Sequence, residues 1–231
     1  MRSLPRLSVA RVLGVVGLCV LTVVTVVLSG FAIRSSHTVH EEGTTWPVLQ
    51  AVDHQPIAVF LGGSESVAEA GHASWPSLVS QARGWQQVNL SHPDTGYLTA
   101  GTCGAAPCPN FLEAVPEVVA LAPSIVVVSG GWNETASDTD VSVQVANTFQ
   151  ALHQGLPDAT IIAVGPATAD ATPSASVLNT DNAVKTAATT LGLSYVSLLD
   201  PPALNASMFS DGRLNDAGQA AIAARVAAAV R

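Results

Sequence analysis

The sequence predicts an α/β fold of the three-layer α/β/α sandwich type, in which a parallel five-stranded sheet lies between two layers of helices. Two observations carry this prediction. From residue 57 onwards, short apolar segments alternate regularly with longer segments that have the start and stop signals of helices. The short segments are apolar throughout rather than at every second position, which is typical of parallel strands that are buried on both faces.

The first strand is expected at residues 57–61, between Pro56 and a pair of glycines. The later elements follow in turn, with boundaries set by capping residues, glycines and prolines. We expect strands at 87–90, 124–129, 160–164 and 193–199, and helices at 74–83, 111–121, 138–154, 176–191 and 216–230. The two longest connections are predicted as a loop at 91–109 and a turn at 211–215.

The composition is that of one globular domain with an acidic surface. The 231 residues are 48% hydrophobic and 11% charged, which allows one core of ordinary size. Four of the nine basic residues lie at or before Arg34, whereas all seventeen acidic residues follow it. The part after Arg34 therefore has five positive and seventeen negative charges. A domain with this charge is repelled by nucleic acids, so we expect no nucleic-acid partner.

The chain before the domain divides into three segments. Residues 1–11 contain three arginines, residues 12–33 contain no charged residue, and residues 34–56 are polar and without periodicity. A helix over residues 12–33 is long enough to cross a hydrocarbon core of about 30 Å. With the arginines before it, we expect a cytoplasmic N-terminus, a transmembrane anchor, an extracytoplasmic stalk and an extracytoplasmic domain at 57–231.

A cleaved signal peptide is the alternative to a retained anchor. In Gly30-Phe31-Ala32, the glycine and the alanine are small residues at the places that a signal peptidase requires, although the apolar stretch is long for a signal. In the first case the protein is a single-pass protein of the cell membrane. In the second case the domain is secreted.

Cys103 and Cys108 are the only cysteines after the predicted anchor, and both lie in the loop at 91–109. In an oxidising compartment, two cysteines this close in a loop rich in glycine and proline usually form a disulfide. Zinc binding is the alternative, but two thiols without a neighbouring histidine make only half of a zinc site. We therefore expect a disulfide, and we expect neither a metal nor another cofactor.

Residues with side-chain or backbone groups suited to catalysis follow the first three predicted strands. Ser64 comes after the first strand, Asp94 and Gly96 lie beyond the second, and Asn133 follows the third. Because the carboxyl ends of parallel strands share one edge of a sheet, we expect these loops to converge. A hydroxyl, free backbone N–H groups and a carboxamide are what acyl transfer requires, since they supply a nucleophile and an oxyanion hole. The alternative for Ser64 is a helix-capping serine.

In these segments the sequence resembles the SGNH or GDSL hydrolases, which are serine esterases and acyl-hydrolases of flavodoxin-like architecture. The resemblance runs from about residue 57 to the C-terminus. Residues 60–64 are similar to the family's Gly-Asp-Ser block, 89–96 to its second block, 131–134 to its Gly-x-Asn-Asp block and 211–218 to its Asp-x-x-His block. The resemblance implies that Ser64 is the nucleophile, that Asn133 is an oxyanion donor and that Asp211 orients the base.

The sequence departs from the family where the chemistry would occur. Gly63 replaces the first Asp, Glu134 replaces the second Asp of the third block, and Leu214 stands at the position of the catalytic His. Asp94 stands at the position of the oxyanion Gly unless a shift of the loop lets Gly96 take its place. Without a general base, a serine hydroxyl is a poor nucleophile at neutral pH. We therefore expect impaired hydrolysis.

A histidine from another segment would have to supply the missing base. His92 is the candidate, because it lies in the second loop near Asp94; the alternative is a solvated loop histidine. The other histidines of the domain are His72 before the first helix and His153 near the end of a helix. A charged imidazole is favourable at such a helix end without any catalytic role.

Two functions remain in view. The first is a membrane-anchored, extracytoplasmic ester hydrolase of the SGNH or GDSL type, impaired by the loss of the family's His, that acts on an acylated or acetylated envelope glycan or lipid. The second is a non-catalytic module that keeps the cleft and binds a glycan, a lipid or a membrane acyltransferase. A flavodoxin-like cofactor carrier is disfavoured, because the sequence has no loop of the type that cradles phosphate.

Overall fold

A computed structural model describes residues 55–132, 134 and 138–230. The segment at 1–11, the predicted anchor at 12–33, nearly all of the predicted stalk at 34–56, and Asn133 lie outside the described residues. Within the described residues, no helix has both the length and the apolar character needed to cross a membrane.

Nine strands and five α-helices are present in the described residues. In chain order they are β1 (Ile57–Gly62), α1 (Trp75–Arg83), β2 (Gln86–Asn89), β3 (Thr102–Cys103), β4 (Ala106–Pro107), α2 (Phe111–Ala120), β5 (Ile125–Ser129), α3 (Asp138–Gly155), β6 (Thr160–Val164), α4 (Ala175–Leu191), β7 (Ser194–Val196), β8 (Phe209–Ser210), β9 (Arg213–Leu214) and α5 (Asp216–Ala229). Short 3-10 turns lie at Ser64–Ser66 and Ala206–Met208.

The main sheet confirms the predicted architecture. Its five strands run in the order β2-β1-β5-β6-β7, and every neighbouring pair is parallel. The register places Gly62 of β1 opposite Ser129 of β5. The carboxyl ends of these two central strands therefore lie side by side, and the loops that follow them begin at the same edge.

Two separate cores cover the two faces of the sheet. On one face, Val59 and Leu61 of β1 pack with side chains of α2, α3 and α4, such as Phe149. On the other face, Ala58 and Phe60 of β1 pack with side chains of α1 and α5. Alternate residues of one strand thus enter opposite cores, which explains why the strand is apolar at every position.

The helices begin and end where capping chemistry predicts. The Ser74 hydroxyl accepts the Ser77 N–H at the start of α1, and Gly84 ends that helix in the left-handed conformation, with φ of 66°. Asn110 and Glu113 form a capping box at the start of α2. The Asn215 side chain accepts the N–H groups of residues 217 and 218 at the start of α5. These local signals fix the helix boundaries.

Three short elements differ from the prediction. The last strand of the sheet covers only Ser194–Val196, because the Ser197 hydroxyl accepts the N–H groups of residues 199 and 200 and so takes them from the sheet. The predicted loop at 91–109 contains the β3–β4 hairpin. The predicted turn at 211–215 includes the tip and second strand of the β8–β9 hairpin.

Candidate active site

Ser64 lies at the carboxyl end of β1, at the start of a single 3-10 turn. Its hydroxyl donates a hydrogen bond to Asp94 Oδ1, at 3.1 Å, and accepts one from the Asp94 N–H, at 2.9 Å. Both bonds come from one residue of the loop that follows β2. The structure therefore brings together Ser64 and the second-loop residue Asp94, as the sequence predicts.

The loop that carries Asp94 is held tightly against the end of β1. The Thr95 hydroxyl donates to the Gly62 carbonyl, at 3.0 Å, and to the His92 carbonyl, at 2.8 Å. The His92 N–H donates to the Gly62 carbonyl, at 3.1 Å. Asp94 itself has φ of 59°, a left-handed conformation that glycine adopts freely and that aspartate tolerates. The backbone thus keeps a donor where the family has its oxyanion glycine, while the side chain adds a carboxylate.

Gly96 has a packing role in this loop. Its N–H donates to the Thr99 carbonyl, at 2.9 Å, and so is used within the loop. A Cβ atom at position 96 would lie 2.2 Å from Glu134 Oε1. The structure therefore places Gly96 beside Glu134, and the N–H that contacts the Ser64 hydroxyl belongs to Asp94.

The buried Glu134 joins the third loop to the second. Its carboxylate accepts hydrogen bonds from the N–H groups of Tyr97 and Leu98 and, at 3.0 Å, from the Thr99 hydroxyl. Glu134 replaces an aspartate of the family, and here its longer side chain reaches the backbone of the neighbouring loop. Glu134 is thus a structural residue of the site.

The side chain of Glu65 is also buried, with 5% of the residue exposed. Its Oε1 accepts the Gly63 N–H, at 3.2 Å, and the Ser66 hydroxyl, at 3.1 Å. A Cβ atom at position 63 would lie 2.9 Å from Glu65 Oε2, so the missing side chain of Gly63 leaves the space that this carboxyl fills. Burial raises the pKa of Glu65 above its ordinary value, and the hydrogen bonds that it accepts offset part of that rise.

The β8–β9 hairpin carries the segment that resembles the family's Asp-x-x-His block, with Leu214 in place of the histidine. Leu214 is 9% exposed, packs in the core between the sheet and the layer of α1 and α5, and lines the same cavity as Ser64. Asp211 is exposed at the tip of the hairpin, with φ of 50°, and does not line that cavity. An apolar side chain thus occupies the place where the family has its base.

A cavity of about 310 Å³ opens over Ser64. It lies among the loops that follow β1, β5 and β6 and is closed on one side by the β8–β9 hairpin. Its lining includes Ser64, Trp132, Thr168, Asp170, Arg213 and Leu214. Trp132, a half-exposed residue of the third block, lines the same cavity as Ser64, and Asn133 is outside the described residues.

The cavity over Ser64 is not the largest concavity in the described residues. A groove of about 640 Å³ lies between α3 and α4, but the side chains that line it contain no titratable or nucleophilic carboxylate, imidazole or thiol. A functional site needs convergent polar groups with chemistry of their own. We therefore take the smaller cavity over Ser64 as the candidate active site.

Two of the three histidines of the described residues contact groups other than Ser64. His92 Nδ1 lies 3.5 Å from Cys103 Sγ, and His72 Nδ1 lies 2.8 Å from Asp216 Oδ1, where both side chains are exposed. His153 lies in the last turn of α3. In the described residues the hydrogen bonds of the Ser64 hydroxyl are both with Asp94, and none of them comes from His92.

The structure contains the predicted disulfide between Cys103 and Cys108, which closes the β3–β4 hairpin. The ligand atoms of His92, Cys103 and Cys108 all lie within 4.8 Å of one another. The sequence did not indicate a histidine near the cysteines, because ten residues separate His92 from Cys103 in the chain. The two sulfur atoms are nevertheless bonded to each other, so they are not available as thiolate ligands.

The sequence matches the family model of the GDSL-like lipase/acylhydrolase family over residues 41–221. The chain belongs to this family. The match covers most of the predicted domain, together with all of the main sheet. No curated protein matches the sequence.

Solved structures of GDSL-type and esterase proteins share the fold of this family member. TesA is 14% identical, with a TM-score of 0.60 over 75% of this chain and 98% of TesA. A carbohydrate esterase family 2 enzyme from Corynascus thermopiles is 17% identical, with a TM-score of 0.58 over 75% of this chain and 65% of that one. A family two carbohydrate esterase from Clostridium thermocellum is 15% identical, with a TM-score of 0.60 over 75% and 62%. At these identities the likeness establishes the fold alone.

Proposed function

We propose that this family member is a membrane-anchored, extracytoplasmic ester hydrolase of strongly reduced turnover, which binds an acylated or acetylated envelope glycan or lipid. One observation carries the proposal. The Ser64 hydroxyl lies in a cavity together with Trp132 and Leu214, and its hydrogen-bond partner is the Asp94 carboxylate, whereas Leu214 stands at the position of the family's imidazole base. The nucleophile and a backbone donor are retained, whereas the efficient base is replaced.

The loss of the imidazole sets the scale of the impairment. In a serine protease, removal of the catalytic histidine lowers kcat by about six orders of magnitude and leaves a rate roughly 10³ to 10⁴ times that of the uncatalysed reaction. Six orders of magnitude correspond to about 8 kcal/mol of transition-state stabilisation. Adjustment of a loop does not recover an energy of this size. We therefore expect turnover far below that of a complete triad.

The cavity suits a small acyl group better than a long chain. Its volume of about 310 Å³ is at the lower end of the range for small-molecule sites. Trp132, which is 42% exposed, offers an aromatic face at the cavity, and a sugar ring or an acyl chain packs well on such a surface. An acetylated glycan fits these dimensions and this chemistry.

The second candidate is a non-catalytic binding module for a glycan, a lipid or a membrane acyltransferase. Leu214 favours it, because a buried apolar side chain at the position of the base contributes to packing and not to proton transfer. The Asp94 carboxylate favours it as well, because an anion beside the Ser64 hydroxyl opposes a developing oxyanion. In this case the cavity would be kept for recognition.

Hydrolysis of small aryl esters distinguishes the two functions. The full chain is purified and assayed with p-nitrophenyl acetate and p-nitrophenyl butyrate, alongside Ser64→Ala. Ser194→Ala serves as the matched control, because Ser194 is an exposed residue of β7 at the far edge of the sheet. Turnover that is lost in Ser64→Ala and kept in Ser194→Ala supports the hydrolase. Equal activity in the parent and both variants supports the binding module.

A further inference from the structure

We propose that the Asp94 carboxylate is the proton acceptor for the Ser64 hydroxyl, in place of the imidazole that the family uses. The inference rests on the proposed ester hydrolysis and goes beyond it by naming the base. It starts from the observation that one residue makes two hydrogen bonds to the same oxygen. Asp94 accepts the hydroxyl proton at 3.1 Å and donates its own N–H to that oxygen at 2.9 Å.

The contact has the geometry that proton abstraction requires. A general base must lie within about 2.6 to 3.2 Å of the atom whose proton it takes. The bond from the Asp94 N–H directs a lone pair of the Ser64 oxygen towards the loop and orients its proton towards the carboxylate. Thr95 and His92 hold this loop against β1 through hydrogen bonds to the Gly62 carbonyl. The base is therefore positioned before any substrate binds.

Proton transfer also removes the electrostatic objection to an aspartate at this position. An ionised carboxylate opposes an oxyanion that forms nearby. As Asp94 accepts the serine proton, however, it becomes neutral at the moment when the substrate oxygen becomes negative. The negative charge moves from Asp94 to the substrate, and the net charge of the site does not change.

The other charged groups of the site are compatible with this shift of charge. Glu65 lines the cavity beside Ser64, and its burial favours the neutral carboxyl. Arg213 lines the cavity and places a positive charge in the space where the oxyanion would form. Asp170 lines the same cavity, and the imidazole of His92 on the second loop contacts Cys103. Neither of these last two groups bonds to the Ser64 hydroxyl in the described residues.

The reaction balances with the residues of this chain and water. In acylation, the hydroxyl proton passes to Asp94, the serine oxygen bonds to the ester carbonyl carbon, and the carbonyl π electrons move to oxygen. Collapse of this intermediate breaks the bond to the leaving alkoxide, which takes the proton from Asp94 and departs as an alcohol. In deacylation, water gives a proton to Asp94 and attacks the acyl carbon, and the released Ser64 oxygen takes that proton back.

The test compares substitutions of Asp94 in the full chain with p-nitrophenyl acetate as the probe. Asp94→Asn keeps the size and the N–H of the residue but removes the base. Asp94→Gly keeps the N–H, matches the family residue and suits the φ of 59°, so it guards against a folding artefact. Asp158→Asn is the control, because Asp158 is exposed in the turn between α3 and β6.

We expect both Asp94 variants to lose at least about 100-fold in kcat/KM, the usual contribution of a general base, and Asp158→Asn to stay within about twofold. A pH profile separates catalysis from a structural role. A carboxylate base gives a rate that is level between pH 6 and 8, whereas an imidazole base gives a rate that falls below about pH 6.5.

Unchanged or increased activity in Asp94→Gly, with Ser64→Ala inactive, would overturn the inference and leave the hydrolase function standing. A rate that falls as the pH drops below about 6.5, together with loss of activity in His92→Gln, would overturn the inference in favour of an imidazole base. If the parent protein is no more active than Ser64→Ala, the inference and the proposed hydrolysis fail together.

Discussion

At the scale of single residues, two buried glutamates shape the surroundings of Ser64. Glu65 fills the space that Gly63 leaves, and Glu134 ties the second loop to the third. Neither acts on a substrate in the proposed reaction. They explain how a chain that lacks the family's first aspartate still holds its nucleophile in a defined position.

The raised pKa of Glu65 predicts a specific dependence of stability on pH. The folded protein retains the Glu65 proton at pH values where the unfolded chain, with an ordinary pKa of 4.5, has lost it. The resulting stabilisation is fully present below pH 4.5 and is lost as the pH rises through the higher folded pKa. Urea unfolding between pH 4 and 8 should therefore show the parent protein losing stability relative to Glu65→Gln as the pH rises.

Glu117→Gln is the control for this measurement, because Glu117 is an exposed residue of α2. The difference in the free energy of unfolding between Glu117→Gln and the parent protein should change little over the same pH range. A parent protein that gains stability relative to Glu65→Gln as the pH rises would contradict the prediction.

Gly96→Ala should destabilise the protein by about 1 to 3 kcal/mol, as overpacking of a filled core does. The added methyl carbon would lie 2.2 Å from Glu134 Oε1, which is buried and hydrogen-bonded to the second loop. The double variant Gly96→Ala/Glu134→Asp has a shorter carboxylate and should be more stable than the sum of the two single changes predicts. Urea unfolding of the parent protein, the two single variants and the double variant gives the free energies of unfolding that this comparison needs. Strict additivity would show that the two side chains do not compete for space.

At the scale of elements, the β3–β4 hairpin depends on the disulfide between Cys103 and Cys108. Its two strands have two residues each, which is too short to be stable alone. By the loop-entropy account, a bridge between residues this close contributes about 2 kcal/mol. The variant Cys103→Ser/Cys108→Ser should lose about that amount in urea unfolding.

Reduction of the parent protein with dithiothreitol should give the same loss as the double serine variant, and the variant itself should not respond to the reductant. Equal stability of the oxidised and reduced parent protein would show that the bridge does not stabilise this hairpin.

The helices could be predicted closely because their boundaries depend on local chemistry. Ser74, Asn110 and Asn215 cap their helices through their own side chains, within three residues of the chain. The hairpins could not be predicted, because strands of two residues leave no pattern of alternation. The last strand was overestimated, because its sequence does not reveal that Ser197 captures the next N–H groups.

At the scale of the whole molecule, the segment at 12–33 predicts attachment to a membrane. Expressed with its native N-terminus, the protein should sediment with membranes and resist a carbonate wash, whereas a chain that begins at residue 34 should stay in the supernatant. Protease should reach the domain from outside intact cells. A mature N-terminus just after Ala32, found by mass spectrometry, would show instead that the segment is a cleaved signal.

The sequence pattern predicted the layers of the molecule but not the order of the strands in the sheet. The sequence indicated parallel strands covered on both faces, because such strands must be apolar at every position. The order β2-β1-β5-β6-β7 and the register that places Gly62 beside Ser129 were not predicted and are findings of the structure.

Local composition and spacing were enough to predict the fold class, the helix boundaries and the serine after the first strand, and the family resemblance added the loss of the histidine. The bonds between Asp94 and Ser64, the burial of Glu65 and the contact of His92 with the disulfide could be found in the folded structure alone. The physical reason is that the direction of a side chain depends on the space and the partners that distant segments provide, and these exist only once the chain has folded.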